Sequence, residues 1–114
     1  MTNEYLFDAS KLGNLQKMEF ILECNVTDLN SIDIDEKTSL YLAAENDHED
    51  LVRLILMQRG IDVNKGIESG DNAGSSPLYA ATLNDNLEIV KMLTDHPDTD
   101  INKGLISNGN NPHC

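Results

Sequence analysis

The chain has 114 residues, of which 39% are apolar, and its formal net charge at pH 7 is −12. This length allows one compact domain or a short array of repeats with a modest core, and the apolar fraction is typical of a folded chain. The negative charge argues against binding to nucleic acid or to an anionic membrane, because both need a basic protein surface, whereas it is compatible with a basic protein partner.

The sequence carries no sign of export or of membrane insertion. Its two cysteines, Cys24 and Cys114, are too few for a disulfide framework. The N-terminal residues MTNEYLFDAS lack the basic start and apolar run of a secretory signal, and no segment approaches the roughly 20 apolar residues that a membrane span needs. We therefore expect a reducing intracellular compartment, the cytoplasm first, with the nucleus left open.

The chain repeats itself. Residues 38–66 recur without a gap at 76–104, and a weaker copy precedes them. The residues that recur are Thr38/Ser76, Leu40/Leu78, Tyr41/Tyr79, Ala43/Ala81, Asn46/Asn84, Asp47/Asp85, Val52/Val90 and the run Asp62 to Gly66 with Asp100 to Gly104. A period of this size indicates stacked repeats. We predict an array over 1–104, with repeats at about 4–37, 38–75 and 76–104, followed at 105–114 by a flexible tail or the start of a truncated fourth repeat.

Each unit is predicted to be a helix, a tight turn, a second helix and a long polar connection. In the central unit Thr38 or Ser39 is suited to cap the first helix. Asn46 and Asp47 end that helix, since both residue types tolerate the left-handed conformation, and the first unit has Gly13 at the same point. The second helix is predicted from about Glu49 to Met57, and the chain as a whole is predicted to be all-α.

Two burial predictions follow from the apolar pattern. In the central unit the apolar residues from Leu51 to Met57 cover nearly the whole circumference of the second helix, so we expect it to be buried on both sides. Each connection also carries an Asp-x-Asn triplet with one apolar residue at its centre, which we expect to plug the space under the loop. These residues are Leu29, Val63 and Ile101.

At these residues the chain resembles the ankyrin repeat family. The segment TSLYLAAENDHEDLVRLIL followed by GIDVN is similar to that family's consensus. The resemblance covers about 4–104 and implies a helix-turn-helix solenoid of three stacked repeats with extended finger loops. Some positions depart from the family pattern: Tyr41 and Tyr79 replace a His, Asp47 and Asp85 replace the turn Gly, and Glu36 replaces a finger Gly.

The resemblance also implies a function, which is protein–protein recognition through a concave face. That face is made by the finger tips and the exposed sides of the first helices. Leu12 and Leu83 draw attention because they are apolar at positions expected to face solvent, although isolated exposed leucines are common. Carried over position by position, the partner-binding residues are Lys11, Leu12, Asp35, Lys37, Glu45, Asn46, Asn72, Ala73, Ser75, Leu83 and Asn84.

No motif in the sequence indicates catalysis, a cofactor or a metal. His48, His96 and His113 lie in separate connections without ligands at metal-binding spacing, and His48 is predicted to be structural. No phosphate loop or nucleophile elbow is present, and we interpret the adjacent His113 and Cys114 as a mobile end, so we expect no enzyme.

Two alternatives to a free-standing binding module stay open. One is a targeting or scaffold segment of a larger multidomain protein. The other is a structural segment that self-associates through Met92, Leu93, Leu105 and Ile106. We otherwise expect a monomer in isolation.

Overall fold

The computed structural model describes residues 4–24 and 28–101, and within these ranges it contains six α-helices and no strand. The helices pack as three consecutive pairs, which confirms the predicted all-α helix-turn-helix stack. They are α1 (Glu4–Leu12), α2 (Leu15–Cys24), α3 (Ser39–Glu45), α4 (Glu49–Leu56), α5 (Pro77–Leu83) and α6 (Leu87–Asp95). The predicted tail at 105–114 lies outside the described residues.

The first helices of the second and third pairs begin with the same cap. The Thr38 side chain accepts a hydrogen bond from the Tyr41 amide (3.1 Å), and Ser76 accepts one from the Tyr79 amide (3.2 Å). Pro77 then occupies the first turn of α5, where its missing N–H would have no partner in any case. Thus the hydroxyl residue at the start of the second and third repeats caps its helix.

The tight turns between paired helices need a left-handed residue, and each turn has one. Gly13, Asp47 and Asp85 have φ angles of 73°, 64° and 59°. A β-carbon on Gly13 would lie 2.5 Å from the His48 ring, so this position requires Gly for space as well as for backbone conformation. His48 uses that space to place its Nε2 atom 2.7 Å from the Lys11 carbonyl oxygen, which ties the second repeat to the first.

The core lies between the helix pairs. First helices stack on first helices and second helices on second helices, and the alanines of the first helices are buried. In α4 the prediction of all-round burial is only partly right: Leu51, Val52 and Ile55 are fully buried, whereas Met57 is 75% exposed. The reason is that α4 ends at Leu56, so Met57 lies beyond the last turn and is not covered by the neighbouring helices.

Asparagine side chains join successive repeats. Asn30 donates to the Gly60 carbonyl oxygen (2.9 Å) and accepts from the Asp62 amide (2.8 Å). At the next joint, Asn64 donates to the Asp98 carbonyl (2.7 Å) and accepts from the Asp100 amide (2.7 Å). We call these two arrangements the asparagine joints. In each, one asparagine amide group donates to and accepts from the backbone of the following repeat.

The apolar plugs beside the joints differ from one another. Val63 is buried, and Leu29 is half-buried against the core, as predicted. Ile101 is 54% exposed, so the prediction is wrong for the third repeat. Among the described residues, no further helix pair follows α6 to cover this side chain.

The connections after α2 and α4 form two fingers. In the first finger the Asp33 carboxylate accepts from the amides of Asp35 (2.8 Å) and Lys37 (3.0 Å). The second finger is closed by backbone bonds between Ile67 and Ser75 (2.9 Å) and between Gly74 and Ile67 (2.8 Å). The Asp33 amide also donates to the Lys37 carbonyl oxygen (3.0 Å), so main-chain pairing closes both fingers and the Asp33 carboxylate adds to it in the first.

A carboxylate also clasps the two fingers together. Glu36 accepts from the amides of Glu68 (2.9 Å) and Ser69 (3.1 Å) and from the Ser69 hydroxyl. These hydrogen bonds, first that of the Ser69 hydroxyl, lower the pKa of Glu36 below its usual value. Glu36 has a φ angle of 65°, so a strained backbone position aims the carboxylate at the second finger.

Candidate functional site

A cleft of ≈ 300 Å³ opens between α3, α5 and the second finger. We call it the inner cleft. Residues of α3 and α5 form its sides, the second finger supplies four further residues, and Lys37 enters from the end of the first finger. Its lining residues are Lys37, Tyr41, Glu45, Ile67, Asp71, Asn72, Ser75, Tyr79 and Leu83.

The floor of the inner cleft is apolar. Tyr41, Ile67 and Ala80 are buried together in a small cluster separate from the main core. Burial raises the pKa of the Tyr41 phenol, although a hydrogen bond with the Ser75 hydroxyl acts in the opposite direction. A neutral, anchored Tyr41 thus gives the cleft a rigid base.

An ion pair forms one wall. The Lys37 Nζ atom lies 2.8 and 3.0 Å from the two carboxylate oxygens of Glu45, and 5.6 Å from the centre of the Tyr41 ring. Partial burial by itself lowers the pKa of Lys37, but the hydrogen bond and the charge of Glu45 outweigh it, and the net effect is a raised pKa. The Lys37 charge is therefore already engaged within the wall.

The opposite side of the cleft is open. Leu83 is 66% exposed, Tyr79 is half-buried, and Asp71 lies exposed on the second finger. Neither the Asp71 carboxylate nor the Tyr79 hydroxyl has a hydrogen bond or an ion pair with any residue in 4–24 or 28–101. This side therefore presents an apolar contact, an aromatic ring and an unpaired negative charge within one cleft.

The structure brings five of the residues predicted from the sequence into the inner cleft: Lys37, Glu45, Asn72, Ser75 and Leu83. Lys11, Leu12 and Asp35 are exposed outside it, and Ala73 is half-buried. Asn46 and Asn84 are exposed, and their amides bind backbone: Asn46 donates to the Leu42 carbonyl (2.8 Å), and Asn84 donates to the Glu45 carbonyl. These two side chains end helices, and Asn84 also joins repeats.

Ser75 is less exposed than its predicted place on the partner-binding face implies. It is only 4% exposed, and its hydroxyl interacts with Tyr41. Its carbonyl oxygen accepts the Ile67 amide that closes the second finger. Ser75 therefore supports the floor of the inner cleft from beneath and does not offer its side chain to a partner.

Sequence reasoning missed four lining residues, namely Tyr41, Ile67, Asp71 and Tyr79. A signal for the tyrosines was available, because Phe7, Tyr41 and Tyr79 occupy the same position in successive repeats. Ile67 and Asp71 belong to the second finger, and nothing in the repeat pattern indicates how that finger folds back.

The described residues show no arrangement suited to metal binding, since no group of three or more His, Cys, Asp or Glu side chains converges within 4–24 and 28–101. His48 lies against Gly13 and the Lys11 carbonyl, in a structural contact. Within the same ranges, none of the helices is both long enough and apolar enough to span a bilayer. What the inner cleft offers is a surface for non-covalent contact.

Comparison with known proteins agrees with this architecture. The family model "Ankyrin repeats (3 copies)" matches residues 6–104. Two similar proteins are protein fem-1 homolog C of Danio rerio, 36% identical over 50 residues, and alpha-latrocrustotoxin-Lt1a of Latrodectus tredecimguttatus, 38% identical over 65 residues. The matches cover 44% and 56% of this chain but only 8% and 4% of those proteins. The family match, together with the three helix pairs and the asparagine joints, shows that the chain belongs to the ankyrin repeat family.

Proposed function

We propose that this chain is a protein-recognition module that binds a partner protein through the inner cleft and the first-helix surface around it. Ankyrin repeats in general bind proteins, and the particular surface and partner chemistry are our proposal. The single observation that carries it is the inner cleft itself, in which exposed Leu83 and half-buried Tyr79 lie beside an unpaired Asp71.

The packing of the repeats supports this choice of face. The first helices pack more closely on one another than the second helices do, because small residues such as Ala43, Ala44 and Ala81 lie between them. Closer spacing on one side curves a row of repeats toward that side. This packing supports the proposal that the inner cleft lies on the concave side of the stack, where a partner would touch more than one repeat.

We also propose that the module acts without catalysis and in an intracellular setting. The cleft offers no nucleophile beside a base, which fits recognition rather than reaction. Cys24 is a free, exposed thiol, a state that oxidising compartments disfavour.

A second candidate is a targeting or scaffold segment within a larger protein. It is supported by the small share of each relative that the chain spans, 8% and 4%. In that case the inner cleft keeps its binding role and the longer protein supplies the activity that is targeted.

Self-association through the third repeat has less support. Leu93 is fully buried, and Met92 is half-buried against the core, so neither offers a large apolar surface to a second copy. Leu105 and Ile106 lie outside the described residues. Sedimentation of the purified chain at high concentration is expected to give a monomer.

The proposal is tested with two matched substitutions, Leu83→Asp in the inner cleft and Met57→Asp on the second-helix side. Both side chains are apolar and exposed, 66% and 75% respectively, so the two changes carry similar risk to the fold. A partner captured by affinity purification is itself purified, and its affinity for each variant is measured by calorimetry. We expect Leu83→Asp to weaken binding by about tenfold or more, as for loss of an interface anchor, and Met57→Asp to leave it unchanged. Equal affinities for the two variants would overturn the choice of face.

A further inference from the structure

We infer that the inner cleft takes an arginine of the partner, carried on an extended segment and followed by an apolar side chain. This inference rests on the proposed function and specifies the chemistry of the segment that binds. The charge left over in the cleft, the tyrosine in its wall and the exposed leucine beside them support it.

The charge balance of the cleft favours a cation. Its one basic side chain, Lys37, is neutralised by Glu45 in a two-point contact. Asp71 is then left as a carboxylate without a partner among the described residues, at the rim of the same cleft. Asp35 adds a further negative charge close enough to act on Lys37. An anionic ligand would have to displace Glu45 from Lys37, whereas a cationic ligand meets a free carboxylate.

The aromatic wall favours arginine over lysine. Tyr79 is half-buried and lines the cleft, and its hydroxyl is unpaired within the described ranges. A planar guanidinium can stack on such a ring while its N–H groups reach the Asp71 carboxylate, and an ammonium cannot do both with the same geometry. The equivalent ring of the preceding repeat, Tyr41, already has the Lys37 Nζ atom 5.6 Å from its centre. The chain therefore supplies its own cation to Tyr41 and none to Tyr79 among the described residues.

Leu83 favours an apolar residue next to the arginine in the partner segment. It lines the cleft and is 66% exposed, whereas the equivalent residue of the second repeat is Glu45, which is engaged in the ion pair. An apolar side chain that follows the arginine on an extended segment would cover Leu83 and remove its surface from water. The cleft thus favours an Arg-apolar pair, and the overall charge of −12 favours a basic segment around it.

The test uses two blocked peptides that differ in one group, Ser-Gly-Arg-Leu-Gly-Ser and the same peptide with citrulline in place of arginine. Citrulline keeps the shape and loses the charge. Each peptide is titrated into the ¹⁵N-labelled chain, and amide shifts in α5 and the second finger report binding at the cleft. We expect the arginine peptide to bind roughly three- to tenfold more tightly, as for a partly exposed ion pair with ring stacking.

Variants then assign the effect to the cleft. Asp71→Asn is expected to abolish the difference between the two peptides, and Tyr79→Leu to reduce it while keeping apolar bulk. Asp95→Asn makes the same change of charge at an exposed position of α6 and is expected to preserve the difference. Persistence of the full difference in Asp71→Asn would contradict the inference.

The other outcomes separate this inference from the proposed function. Equal affinities for the two peptides with shifts still centred on the cleft would overturn the arginine inference and leave the proposed binding face standing. No detectable binding of the arginine peptide, or tighter binding of a peptide with glutamate in its place, would also overturn the inference. Shifts confined to α2, α4 and α6 would overturn the proposed face itself.

Discussion

The asparagine joints and the inner cleft are both polar regions between neighbouring repeats, yet they are built in opposite ways. At the joint between the first two repeats, the Asn30 amide group both donates and accepts across the gap. In the cleft, Asp71 and the Tyr79 hydroxyl have no such partner within 4–24 and 28–101, and Leu83 stays exposed. Saturated polar groups hold the stack together, whereas unsaturated ones are available to a ligand. Changes at the joints should therefore alter stability, and changes in the cleft should alter binding.

The largest effect is expected at Gly66, where the second finger beside the cleft packs against itself. A β-carbon there would lie 1.8 Å from the Ser75 carbonyl oxygen, so Gly66→Ala forces apart the two sides of the second finger. We expect a loss of about 3 kcal/mol in the free energy of unfolding, measured by urea denaturation, together with loss of cleft binding.

Gly60→Ala is the matched control. Gly60 has a φ angle of 82°, but nothing lies within 4 Å of its added β-carbon, so only backbone strain is introduced. Its expected loss is about 1 kcal/mol, with binding retained. A Gly66→Ala chain no less stable than Gly60→Ala would contradict this account of the finger.

The next effect concerns a joint alone. Asn30→Ala removes two inter-repeat hydrogen bonds, of 2.9 and 2.8 Å, and should lower the free energy of unfolding by about 2 kcal/mol. Gln16→Ala, at an exposed position of α2, should change it by less than about 0.5 kcal/mol. Because Asn30 lies outside the cleft, peptide and partner affinities should be unchanged while the chain remains folded. If the folded Asn30→Ala chain bound more weakly, the claim that the joints affect stability and not binding would be contradicted.

A smaller effect of opposite sign is expected at the turns. Asp85 has a φ angle of 59°, so Asp85→Gly relieves left-handed strain. The substitution should raise the free energy of unfolding by about 1 kcal/mol, which is measured as a higher melting temperature. Asp47→Gly should gain less, since Asp47 also accepts a hydrogen bond from the Asn86 side chain at 3.1 Å. If Asp47→Gly proved the more stabilising change, the hydrogen bond between Asn86 and Asp47 would not contribute to stability.

The smallest effect is expected at the finger clasp, and it depends on pH. The pKa of Glu36 is lowered in the folded state, so its contribution is present above the unfolded value of 4.5 and is lost as the pH falls through the folded value. Glu36→Gln should therefore be less stable than the parent at pH 7 and should approach it on acidification. Glu19→Gln, at an exposed position of α2, serves as the control. A Glu36→Gln deficit that stayed constant down to acidic pH would show that the clasp does not act through its charge.

The repeat pattern of the sequence predicts most of the fold, because each feature is local and recurs. Gly13, Asp47 and Asp85 mark the turns, and Thr38 and Ser76 mark the caps, since each acts on backbone within a few residues of itself. The same logic fails at Met57 and Ile101. Their exposure depends on where a helix ends and on what covers it, which the local pattern does not contain.

The inner cleft is less predictable because it depends on how a finger folds back. Leu83 could be identified from its helical position alone. Ile67 and Asp71 reach the cleft only through main-chain pairing in the second finger, and Ser75 turns inward to Tyr41 for the same reason. The first unit gives no information on that finger, since it lacks the four extra residues of the second unit.

The most direct test of the central claim is an amide chemical-shift map of the ¹⁵N-labelled chain on addition of the purified partner. If recognition occurs at the inner cleft, the largest changes will fall in α3, α5 and the second finger, with Leu83 and Asn72 among them, while α2, α4 and α6 change little. Changes concentrated on the second helices, with the amides around the inner cleft undisturbed, would contradict it.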